Sequence, residues 1–79
     1  MSFFKNRAVK AAEKKRRAEL SALCESMKEL EQALSQNETL FNLTTDSDLL
    51  DSLIFERNAM SARLRYLLKR AKELQKEPA

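Results

Sequence analysis

Glycine, histidine and tryptophan are absent from these 79 residues, and proline, cysteine and tyrosine occur once each. Without glycine there is no Gly-rich loop to cradle a phosphate. The one proline is Pro78, at the tail, so nothing in the interior forces a helix to stop. A lone Cys24 cannot close an internal disulfide, which excludes a disulfide-stapled scaffold and suits a reducing cytoplasm. No secretory segment and no apolar run of membrane-spanning length is present, so a cytoplasmic chain is expected. The missing histidine removes the usual acid/base and metal-ligating imidazole and leaves Cys24 without an activating partner. Asp46, Asp48 and Asp51 lack the glycine and terminal glutamate of a calcium loop and read as charges at a helix start. No enzyme is expected, and no catalytic, cofactor or metal residue is assigned.

What is present is charge, and it is segregated. Residues 1–19 carry seven Lys/Arg against two Glu, residues 20–60 carry two against eight Asp/Glu, and residues 61–79 carry six against two. A chain that folds back once therefore has a basic pole where its ends meet and an acidic pole at its turn. Ala, Leu, Glu, Lys and Arg dominate, which predicts an all-α fold.

Leu20, Leu23, Met27, Leu30 and Leu34 are spaced 3, 4, 3, 4 and share one helical face. Extended backwards, that phase meets Arg16, Glu13 and Val9, so the first helix continues into a basic arm while its apolar face fades. In the second helix Leu50, Leu53, Met60, Leu64, Leu67, Ala71 and Leu74 form a heptad seam, interrupted by Arg57 and widened by Leu49, Ile54 and Leu68. Thr45 or Asp46 can cap its start, and Lys69, Arg70, Lys72 and Lys76 suit its negative C-terminal end. The expected organisation is one helical-hairpin domain over 1–79. A basic arm (1–19) runs into a first helix to about residue 36, a connection spans 37–44, and the second helix spans 45–76. Leu40, Phe41 and Leu43 are expected to plug the turn end. Facing residue numbers are expected to total about 87, with Leu34 beside Leu53, Met27 beside Met60 and Arg57 opposite Leu30, its head reaching toward Glu31. That register also brings Glu19 near Arg70. Cys24, between Leu23 and Met27, is expected to pack at the seam edge.

A second stripe, Phe55, Ala59, Ala62 and Tyr66, is spaced 4, 3, 4 almost opposite the seam. Its small residues between two aromatics suit close approach of another helix. Three occupants fit: the chain's own N-terminal arm, a second copy, which would pair two hairpins into a four-helix bundle, or a different helical protein. A candidate surface for anionic partners comprises Lys14, Lys15, Arg16 and Arg17 on the first helix with Arg63, Arg65, Lys69, Arg70 and Lys72 on the second. Consecutive cations form a collar around a helix, attracting phosphates without reading sequence, so any nucleic-acid binding is expected to be non-specific. The same charges also keep a small protein in solution. Phe3 and Phe4 beside Lys5, Arg7 and Lys10 carry too few apolar groups for more than a reversible contact with an anionic membrane surface.

Phe55 with Glu56, Ala62 and the run Tyr66 to Lys72, YLLKRAK, resemble the YaaL-like family of small bacterial proteins, best known from Gram-positive organisms. The acidic start of that helix and the basic N-terminus opening on Phe3 and Phe4 are similar too. The resemblance covers residues 46 to 75 and the remainder only by character. It implies a bacterial cytosolic protein without an established activity, and places Phe55 and Tyr66 in the fold or its association face. The reading from sequence is a non-catalytic helical interaction module, an antiparallel two-helix hairpin that self-associates and docks anionic partners. Direct nucleic-acid binding is the alternative, and membrane-surface association a weaker one.

Overall fold

A computed structural model describes residues 3–76, with side chains from Asn6 onward. Two helices, α1 (Phe3–Leu43) and α2 (Ser47–Lys76), pack antiparallel, and no strand occurs among the described residues. The molecule measures 67 × 15 × 13 Å. Forty-one residues at about 1.5 Å each account for that length. The fold is the all-α hairpin that the two apolar stripes require.

The first correction concerns the connection. The segment read as a loop, residues 37–44, is helical through Leu43, and only residues 44–46 link the helices. Asn37, Thr39 and Asn42 lower helix propensity but do not forbid a helix, and no glycine or proline interrupts them. Thr39 Oγ1 donates to the carbonyl of Ser35 (3.1 Å), so its hydroxyl is satisfied within the helix. The heptad phase of Leu20 to Leu34 continues to Asn37, which is buried at 4 % exposure. Its Nδ2 donates to the carbonyl oxygen of Leu53 across the seam at 2.9 Å. A residue type that reads as a turn former is here a polar member of the core.

The register changes with it. Asn37 bonds to Leu53, Glu19 to Arg70, and Leu30 and Ala33 share a groove with Met60, so facing numbers total about 90 and not 87. Leu34 therefore does not face Leu53, and Arg57 lies not opposite Leu30 but in a groove with Glu31, Leu34, Ser35, Glu38 and Ser61. A shift of three or four residues moves each stripe position onto the next member of the same stripe, which is why both registers satisfy the apolar pattern. The three-residue link centred on Thr45 and the Asn37 bond select between them.

Leu30, Leu53, Leu67 and Leu74 are the buried apolar residues among those described. Leu74, at 2 %, lies where the apolar stripe of α1 has already ended. The matching positions on α1 are Arg16 and Glu13, both half-buried. Charged residues in seam phase thus extend the contact to the open end of the hairpin.

Local chemistry ends the helices cleanly. Asp46 is the N-cap of α2, its Oδ1 accepting from Leu49 N–H at 2.9 Å while its carbonyl takes the first helical bond from Leu50 N–H at 3.0 Å. At the other side of the link, Thr44 N–H donates to the carbonyl of Leu40 and Thr44 Oγ1 accepts from Asp46 N–H. No described residue has positive φ, consistent with a chain that has no glycine to supply it.

Candidate functional site

The outer face of α2 carries the stripe. Helical rotation of about 100° per residue puts Phe55, Ala59, Ala62 and Tyr66 within about 60° of arc, centred roughly 135° away from the seam. All four are exposed, Phe55 at 73 % and Tyr66 at 64 %. The reading in which the N-terminal arm covers them is overturned. Because α1 is one continuous helix from Phe3, its first turns run straight on past the last residue of α2 and away from Phe55. Continuous helix was preferred because residues 6–18 contain good helix formers and no breaker.

The turn pole is also uncovered. Leu40, Phe41 and Leu43 are exposed at 52 %, 39 % and 77 %, so they do not plug the end of the hairpin. They belong to the last turns of α1, project radially from it, and the three-residue link is too short to fold them inward. Cys24 is likewise exposed and not packed at the seam edge.

The nine candidate cations separate into two groups. Lys14, Lys15, Arg17, Arg63, Arg65, Lys69 and Lys72 are exposed, whereas Arg16 and Arg70 are half-buried in seam phase. Arg70 Nε donates to Glu19 Oε1 at 3.0 Å and Nη1 to Glu73 Oε2 at 3.4 Å, so this guanidinium has partners within the chain. The cations also do not form one ring. In the observed register Lys72 stands level with residue 18 of α1, but Arg63 stands level with residue 27 and shares a groove with Glu29. The basic surface is a graded band of four exposed cations down α2 that meets Lys14, Lys15 and Arg17 of α1 at the open end, where it is densest. The side chains of Phe3 and Phe4, on which a membrane contact depends, lie outside the described residues. Among the described residues no helix is long and apolar enough to cross a membrane.

Asn37 was the residue missed from sequence. Its signal was there, three positions after Leu34 in unbroken heptad phase, but its residue type pointed to a loop.

A family model described as "Protein of unknown function (DUF2508)" matches residues 3–77, and the chain belongs to that family. Neither the curated proteins nor the solved structures provide a match.

Proposed function

We propose that this member of the DUF2508 family is a non-catalytic helical interaction module that associates with itself through Phe55, Ala59, Ala62 and Tyr66 and docks anionic partners with its basic pole. The observation that carries the reading is the exposure of two aromatic side chains on a face that α1 leaves bare. Monomers rarely present aromatics and small residues in a helical stripe to water without a use for it. The YLLKRAK run supports placement within the YaaL-like group, and with it a bacterial, cytoplasmic setting. An enzyme is not part of the reading, because no histidine is present and Cys24 has no imidazole to activate it.

Solution mass by light scattering or sedimentation equilibrium, at low and high salt, tests self-association. The reading requires a dimer or higher species that persists in salt and dissociates in Phe55→Glu/Tyr66→Glu without loss of helicity. A monomer at every concentration refutes it.

A second reading, non-specific nucleic-acid binding, draws on the seven exposed cations of the band. Duplex binding should then weaken steeply with salt, and neutralising Lys14, Lys15 and Arg17 together should flatten that salt dependence. Membrane-surface association is weaker still; sedimentation with anionic vesicles that survives Phe3→Ser/Phe4→Ser would eliminate it.

A further inference from the structure

The association stripe is palindromic. Phe55 and Tyr66 total 121 in residue number, and so do Ala59 and Ala62, so the order aromatic, alanine, alanine, aromatic reads the same in both directions. We propose that α2 pairs with α2 of a second copy antiparallel, about a two-fold axis passing between Ala59 and Ala62. The proposal rests on the self-association reading and specifies its geometry.

Under that operation Phe55 packs on the partner's Tyr66 and Ala59 meets the partner's Ala62, with the reciprocal contacts generated by symmetry. The alanines at the centre allow the helix backbones to approach closely, and the aromatics then reach across at both ends. Charge selects the direction. Asp51 and Lys69 lie on the same flank of the stripe, both exposed, and total 120, which places Asp51 beside the partner's Lys69. On the other flank Glu56 and Arg63 total 119 and meet in the same way. A parallel pairing can form neither contact, since at about 1.5 Å per residue Asp51 then stands about 27 Å along the axis from the partner's Lys69 and Glu56 about 10 Å from the partner's Arg63. At the scale of the hairpin, antiparallel pairing lays the acidic half of one α2 along the basic half of the other. The match ends beyond Asp51 and the partner's Lys69, since Asp48 would face the partner's Glu73.

The stripe points away from α1, so the four helices form an elongated layer in the order α1, α2, α2, α1. A square bundle would need the two contact faces about 90° apart, and they are roughly 135° apart. The exposed cations of the α1 arm, Lys14, Lys15 and Arg17, remain accessible at both ends of the layer.

Reversing and swapping one flank pair tests the direction. Asp51→Lys and Lys69→Asp, made separately, should each raise the dimer Kd about five- to tenfold at low ionic strength, and the double variant Asp51→Lys/Lys69→Asp should restore it. Only an antiparallel pair gives that rescue, because in a parallel pair positions 51 and 69 stand about 27 Å apart along the axis and a charge swap restores no contact between them. Circular dichroism of each variant checks that the hairpin itself is intact, as expected for exposed positions. A dimer that dissociates in Phe55→Glu/Tyr66→Glu but shows no rescue overturns the antiparallel geometry and leaves self-association standing. A wild-type monomer, or a dimer indifferent to the stripe variant, overturns both.

Discussion

Replacing Asn37 by aspartate isolates a polar contact that crosses the seam from the buried polar side chain found among the described residues. Asn37 is 4 % exposed, and its Nδ2 donates to the carbonyl of Leu53 at 2.9 Å. Aspartate has nearly the same shape but no donor when ionised, so the substitution sets one oxygen against another at hydrogen-bond distance. The loss of the bond costs about 1 kcal/mol, and leaving a buried charge unsatisfied adds about 1 to 3 kcal/mol or more. We expect a deficit of roughly 3 kcal/mol at pH 7. In a domain of this size that lowers Tm by roughly 15 °C, within the ~4–8 °C per kcal/mol typical of small domains. The pH dependence has a definite sign. Burial raises the pKa of the new carboxyl in the folded state above its unfolded value of about 3.9, so the protonated form, which can donate again, is the one that folding favours. The deficit should therefore be smallest below about pH 4 and grow as pH rises through the raised value. Thermal unfolding followed by circular dichroism, at one protein concentration and with wild type measured at each pH, provides the comparison. Asn37→Ala is the control at about 1 kcal/mol, since the Leu53 carbonyl keeps its helical partner. A pH 7 deficit below about 0.5 kcal/mol for the aspartate variant, or one that does not shrink in acid, would refute the role assigned to Asn37.

Asn37→Leu should keep or modestly raise stability, because about 1.5 to 3 kcal/mol of apolar burial replaces a bond worth about 1, yet it should loosen the register. Spin labels at positions 21 and 52, both exposed and about 25 Å apart along the axis, in a Cys24→Ser background, should then report a second distance population displaced by about 4 Å, close to the length of three helical residues; a single narrow distribution matching wild type would count against it. Asp46→Ala removes the cap of α2 and should cost about 1 kcal/mol in urea unfolding, with Asp46→Asn retaining most of that. Leu74→Ala should cost about 2 to 5 kcal/mol while Leu43→Ala, at an exposed position, should stay within about 0.5 kcal/mol; equal effects would mean the open end of the hairpin is not packed as described.

Three corrections share one physical origin. The helix boundary at Leu43, the register and the exposure of Leu40 and Phe41 all follow from whether the segment after Leu34 stays helical. Residue by residue, Asn37, Thr39 and Asn42 argue for a loop, and only the presence of Leu53 opposite makes a buried asparagine tolerable there. The Glu19–Arg70 pair, by contrast, was anticipated and is found at 3.0 Å. Long charged side chains bridge a shift of two or three residues, so their pairing depends less on register than leucine packing does.

For the candidate surface, the stripe itself was readable as a periodicity, and its near-opposition to the seam follows from helix geometry. Its exposure was not readable, because the fate of the N-terminal arm depended on whether α1 bent. Nor was the division of the cations: Arg16 and Arg70 look like their neighbours in sequence, and become half-buried only because α1 and α2 meet at those positions.

By itself the sequence determined that this protein is two amphipathic helices with a capping signal at Thr45 or Asp46 on the second and charges sorted toward opposite poles. These are properties of local spacing and composition, which the backbone geometry of a helix converts directly into faces and ends. The tertiary structure decided which of two equivalent registers is used, where α1 ends and which faces remain in water. A heptad pattern repeats every seven residues and tolerates a slip of three or four, so it cannot choose among alignments of the same stripe; a three-residue link and one buried hydrogen bond can.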